Sequence, residues 1–219
     1  MPARVRELVC RGRIVSQAVT WALVISALGV VTVRTRKVAI ALVAFQSLCL
    51  GAEAISDAAG HSAALAVAGA VLLAKAVVLP ALLAVVVLRT REEGPITTER
   101  GAFVRLTIAV AVALPIAVLV PRFGLVHPGV EHAAVGLVVL GITIAVVRRP
   151  AVFQVLGFLV AENGVYLAAL AAPGGLPVFI ELGLVFDLVV LVTVAGVFTA
   201  KIHEELGTGD TSMLGGLRD

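Results

Sequence analysis

Cysteine is scarce, with only Cys10 and Cys49 in 219 residues. They lie on separate segments without a C-x-x-C spacing, so they supply neither an iron–sulfur ligand set nor an evident disulfide. Histidine is nearly as sparse. His61, His127, His132 and His203 all fall at the ends of apolar runs, which leaves no buried pair to hold a haem. Charged residues make up 14% of the chain and hydrophobic ones 60%, against about 25% and 45–50% in soluble domains. Mean hydropathy is +1.11. These shortages exclude a soluble redox enzyme and mark an integral membrane protein whose chemistry is protonic rather than redox.

Aromatic belts are also nearly absent, since Trp21 and Tyr166 are the single tryptophan and tyrosine. A helix layer flanked by protein instead of lipid would show this poverty, and so would an alanine-biased genome. Alanine and glycine dominate the apolar runs, as close backbone packing in a membrane requires. Polar sequence is short as well: the arm 1–13, the stretch RTREEGPITTERG (89–101) and the tail after Lys201. None is long enough to bury a core of its own. This favours a subunit that works within a larger assembly.

A span needs about 20 mostly apolar residues. Seven runs qualify, at 14–33, 38–57, 63–88, 102–121, 130–147, 151–172 and 177–200. The alternating pattern of barrel strands is absent. The predicted fold is therefore an all-α integral membrane protein with about seven transmembrane helices. The polar stretch PRFGLVHPGVEH (121–132) divides it into a four-helix region 1–125 and a three-helix region 126–202, followed by a tail 203–219. Residues 1–33 have the basic start of a signal peptide. Their apolar run, however, ends at Arg34-Thr35-Arg36-Lys37 without a small-residue cleavage site, so a retained helix is expected.

With seven spans, Arg34, Arg36, Lys37, Arg89, Arg91, Arg100, Arg105, Arg148, Arg149, Lys201 and Arg218 share one side with the C-terminus. Arg4, Arg6, Arg11, Arg13 and Arg122 lie on the other. The positive-inside rule then predicts a cytoplasmic C-terminus and an external N-terminus, although the arginines just before the first span argue locally the other way.

The most informative residues are charges within apolar runs: Glu53, Lys75, Glu162, Glu181 and Asp187. A charge at the bilayer centre costs about 2.5–3.5 kcal/mol on insertion scales and is a functional hypothesis by default. Glu162 and Asp187 stand near mid-depth in neighbouring runs joined by the short PGGLP turn. Close together in a low dielectric, such a pair would share one proton and pass it on. Tyr166 is one turn beyond Glu162 on the same face and can reach its carboxyl. Glu181 is six residues before Asp187, about 240° around the helix, so those two do not share a face. Lys75 sits near the middle of the third run, with Glu53 on the adjacent run as its natural partner. Pro80 frees the carbonyl of Ala76 beside Lys75, which reads either as a hydrated spot or as a packing kink. Pro115 does the same to Ala111. For every one of these charges the competing reading is structural: interhelical glue, an ion pair, or, for Arg105, a side chain snorkelling to the interface.

Taken together, AFQSLCLGAEA (44–54), AKAVVLPALL (74–83), GFLVAENGVYLAAL (157–170) and VFIELGLVFDLVVLV (178–192) resemble the hydrogenase-4 component E family over nearly the whole chain. That family comprises membrane subunits of formate hydrogenlyase-like and related group 4 nickel–iron hydrogenase complexes. The back half is also similar to the small K-type subunit of respiratory complex I and of multisubunit cation/proton antiporters. That subunit carries an arginine pair after its first helix and one carboxylate in each of the next two. Those roles would fall here to Arg148-Arg149, Glu162 and Asp187, with Glu181 a rival for the second carboxylate.

The resemblance implies a non-redox subunit, not catalytic by itself, in a complex-I-like energy-converting hydrogenase or formate-oxidising complex. Its carboxylates would lie on a proton or Na⁺ translocation path between a quinone-reductase-like membrane anchor and antiporter-like subunits. Peripheral hydrogenase-like subunits would hold the iron–sulfur clusters and any nickel–iron or molybdenum/tungsten cofactor, and this chain none. It would sit in a bacterial or archaeal cytoplasmic membrane, in contact with the lipid bilayer and not with nucleic acid. Three other readings stay open: a structural spacer of the same complex, an antiporter subunit, and a free-standing secondary transporter. The lack of paired inverted repeats weighs against the last.

Overall fold

The computed structural model describes residues 16–58, 69–70, 73–81, 83–84, 101–121, 125, 128–148 and 150–172. Among these residues there are helices and no strands. The helices are α1 (Gln17–Thr32), α2 (Arg36–Ala58), the helical stretch 73–81 (α3), α4 (Ala102–Leu119), α5 (Pro128–Val147) and α6 (Ala151–Ala171).

Local chemistry sets where the helices begin and end. Ser16 caps α1, its Oγ accepting from the Val19 N–H at 3.2 Å, which satisfies one of the orphan donors of the first turn. α4 stops at Leu119 and Val120 is extended, because the residue before Pro121 is disfavoured in helical geometry. α5 and α6 open on or just after proline, at Pro128 and Pro150, where the missing N–H costs nothing. Pro115 is tolerated inside α4.

The bundle is built around α6. Of its apolar window 72% is buried, against 22% for α4, so α6 is central and α4 peripheral. The closest packing is between α5 and α6, and α6 also meets α2. Glycine makes the α5–α6 approach possible. A Cβ at Gly141 would lie 2.4 Å from the Gly157 carbonyl oxygen, and one at Gly157 would lie 2.5 Å from that of Gly141. Only small residues let backbones come this near.

Large apolar side chains face outward, including Ile25, Phe103, Leu119 and Val146, while Gln46, Glu162 and Asn163 are buried. This inversion suits lipid as the surrounding solvent. Four of the described helices are long and apolar enough to cross a membrane, and α1 is a shorter apolar helix. The seven expected spans thus exceed what the described helices supply. The run at 63–88 is described only in part, and the run at 177–200 lies outside the described residues.

Candidate functional site

Glu162 lies eleven residues past the start of α6, about 16 Å along its axis and near the middle of the helix. Its side chain is fully buried and forms an ion pair with Lys75 of α3, whose side chain is 6% exposed. The Lys75 ammonium also stands 5.0 Å from the centroid of the Tyr166 ring, within cation–π range. Glu162 and Tyr166 are one turn apart on α6, so carboxylate and ring hold the same cation from one helix face. An isolated charge here would be costly. Pairing offsets that cost, and losing either partner removes that offset.

The structure therefore corrects one expected pairing. Glu53 is not the partner of Lys75; its Oε1 accepts from the Ser16 N–H at 2.7 Å. A carboxylate at that place faces the positive end of α1, where negative charge is favoured. Glu53 is a staple between α2 and the start of α1.

Beside the ion pair runs a layer of buried amides and hydroxyls. The Asn163 Nδ2 donates to Gln46 Oε1 at 3.1 Å, and Ser47 Oγ donates to Asn163 Oδ1 at 3.2 Å. The Gln46 Nε2 donates to the Leu23 carbonyl at 2.9 Å. α1, α2 and α6 are thus joined at the depth of Glu162 by side chains that are almost wholly buried. Neither Gln46, Ser47 nor Asn163 stands out by residue type, because neutral polar residues are common in membrane helices. The available signal was their position, each in the middle of an apolar run and inside the segments AFQSLCLGAEA and GFLVAENG.

A second cationic group lies at one end of the bundle. Arg148 is buried after α5, and its Nη1 donates to the carbonyls of Val30, Val31 and Val33 at 3.1, 3.3 and 2.8 Å. Its guanidinium carbon is 3.3 Å from the centroid of the Phe153 ring. Arg105 of α4, also buried, donates through Nη2 to the Thr32 carbonyl at 2.9 Å. The last carbonyls of a helix lack partners within it and carry its negative end. Two arginines, one on α4 and one just past the end of α5, supply both the donors and the charge. Arg105 does not snorkel outward as expected, because the end of α1 offers it a nearer acceptor. Glu131, not singled out from sequence, is buried in the first turn of α5, where the helix dipole favours a carboxylate.

Arg149, Glu181 and Asp187 lie outside the described residues. Of the residues expected to act together, the structure brings together Lys75, Glu162 and Tyr166, and it places Glu53 and Arg148 apart from them.

These features define a helical membrane protein with a paired charge buried at mid-depth. The chain is 32% identical over 209 residues to the uncharacterized protein Rv0085 of Mycobacterium tuberculosis (strain ATCC 25618 / H37Rv), an alignment covering 90% of this chain and 93% of that one. It belongs to the family of that protein. No family model matches the chain, and no solved structure matches it.

Proposed function

We propose that this chain is a non-redox membrane subunit of a complex-I-like energy-converting hydrogenase or formate-oxidising complex. It contributes buried ionisable groups to a proton or Na⁺ path and links a quinone-reductase-like anchor to antiporter-like subunits. The observation that carries the reading is the Lys75–Glu162 ion pair under the Tyr166 ring. A buried ion pair is a poor way to gain stability, since well-packed apolar residues often do as well or better. A charged pair at mid-depth in an apolar bundle is better explained by charge movement.

One step is compatible with this pair. A proton arriving on the Glu162 carboxylate neutralises it and weakens its hold on the Lys75 ammonium. The ammonium, still against the Tyr166 ring, then turns toward another carboxylate, for which Asp187 and Glu181 are the candidates. Loss of the proton onward restores the pair. In this reading the full chain has seven spans in a bacterial or archaeal cytoplasmic membrane, with its C-terminus inside. The peripheral partners hold the iron–sulfur clusters and any nickel–iron or molybdenum/tungsten cofactor.

Paired measurement of substrate oxidation and acidification in sealed vesicles tests this reading. Glu162→Gln and Asp187→Asn should leave assembly and turnover largely intact while reducing translocation, and Glu162→Asp should retain part of it. If both neutral variants pump like the parent at matched turnover, the groups serve only to dock neighbouring subunits.

A further inference from the structure

Between α1, α4 and α5 lies a cavity of about 680 Å³, lined on α1 by residues from Gln17 to Leu28 and on α5 by residues from Pro128 to Leu140. It exists because small residues stand where large ones would fill it, namely Ala113, Ala117 and Gly136. A Cβ added at Gly136 would meet only the Ala117 Cβ, at 3.8 Å. Three features constrain what belongs there.

The first is polarity. The side chains of Gln17, Thr20 and His132 bring polar atoms to the end of the cavity where α1 and α5 begin, and the rest of the lining is apolar. Water needs several polar partners to remain in such a space, and the apolar part offers none. The second is depth. Gln17 to Leu28 is about 16 Å and Pro128 to Leu140 about 18 Å at 1.5 Å per residue, close to the ~15 Å of one leaflet's hydrocarbon. The third is the end away from the mouth. One turn beyond Leu28, the Arg105–Thr32 hydrogen bond joins α4 to α1. A partner helix seated in the cavity would have to stop at mid-bilayer with unsatisfied end groups, which lipid does not tolerate. An acyl chain ends there naturally.

We propose that this cavity is a phospholipid site, taking one acyl chain between α1, α4 and α5 with its glycerol esters and headgroup at the Gln17–Thr20–His132 mouth. The bound chain fills a gap between α1 and the peripheral α4 and so belongs to the packed structure. The site is independent of the charge-moving role proposed above.

Trp21, the single tryptophan, lines the cavity and is 59% exposed, which makes it an intrinsic probe. The full chain, purified in mild detergent, is titrated with a phosphatidylcholine dibrominated on one acyl chain, and Trp21 fluorescence is followed. Quenching should saturate at a single lipid per protein and be reversed by unlabelled phosphatidylcholine. Gly136→Phe, and independently Ala117→Leu, should weaken the saturable quenching by about tenfold or more, while Gly136→Ala retains it. Helix content measured by circular dichroism identifies a variant that has failed to fold. In that event Ala133→Leu, from the same lining, takes its place. Quenching that rises linearly without saturating, or that is unchanged in the filled variants, overturns the proposal. So does displacement by a long-chain quinone but not by phospholipid, or cross-linking of position 136 to another subunit's helix.

Discussion

Glu162, Lys75 and Tyr166 come from two helices, and their meeting decides what kind of charge Glu162 is. With the ammonium on one side and a fully buried setting around it, the carboxylate is not simple hydrogen-bonding glue. We expect Lys75→Met alone to destabilise the protein by about 3–5 kcal/mol, and Glu162→Gln alone by only about 1 kcal/mol, because the glutamine carbonyl still accepts from the ammonium. The double variant Lys75→Met/Glu162→Gln should lose less than the sum, with a coupling of about 2 kcal/mol. Denaturant unfolding in mild detergent measures all four proteins. Additive losses would mean that the two side chains do not meet. At this scale sequence reading identified the participants but not the pair. Glu162, Lys75 and Tyr166 were all visible as polar groups in apolar runs. The partner of Lys75 was read from adjacency along the chain, which pointed to Glu53. In the fold, α6 is the central helix and brings Glu162 to Lys75 instead, while Glu53 turns to the start of α1.

At the scale of the helix, the arginines explain how short, apolar α1 is held. It has no basic residue in its last turn, so the negative end of its dipole is met from outside, by Arg148 and Arg105. Hydrogen bonds to charged groups are each worth about 1.5–3 kcal/mol. Arg148 gathers three carbonyls with one nitrogen, so its contribution is less than three separate bonds. We expect Arg148→Ala to destabilise the protein by roughly 2–4 kcal/mol and Arg148→Lys by less. Lysine keeps the charge but loses the planar stacking on Phe153. The checks are thermal unfolding in detergent, and proteolysis or hydrogen exchange at residues 28–35, which should open in the alanine variant. Unchanged protection there would show that α1 is held by packing alone. The helix ends were legible from the apolar runs to within about three residues, and the capping serine and the prolines, which act locally, set the final positions. The clamp was not legible, since nothing in Arg105 or Arg148 by itself indicates which carbonyls lie within reach.

For the whole molecule, the asymmetry of basic residues and the arginine clamp bear on the same end of the bundle. Arg34, Arg36, Lys37, Arg105 and Arg148 all lie where α1 ends, α2 begins, α4 begins and α5 ends. On the seven-span reading this end is cytoplasmic, together with the 89–101 loop and the tail. In a background lacking Cys10 and Cys49, Thr97→Cys and Ser212→Cys should be protected from a membrane-impermeant maleimide in intact cells and become reactive once the membrane is opened. Labelling of either from outside would overturn the orientation. Labelling of only one would overturn the count of spans between them.

Composition alone determined that the chain is helical and built for lipid. Burial of backbone polar groups in a membrane leaves few alternatives, and long apolar runs with few charges signal it without any knowledge of contacts. Local chemistry determined most helix ends for the same reason: capping and proline effects act over a few residues. Which helix sits at the centre, which cation faces Glu162, and which carbonyls the arginines cap were decided only by tertiary structure. Apolar all-round helices present no single face that announces its neighbour. Here the close approach of Gly141 to Gly157 and the buried polar contacts of Asn163, Glu162 and Arg148 selected the arrangement, and those depend on partners far away in the chain.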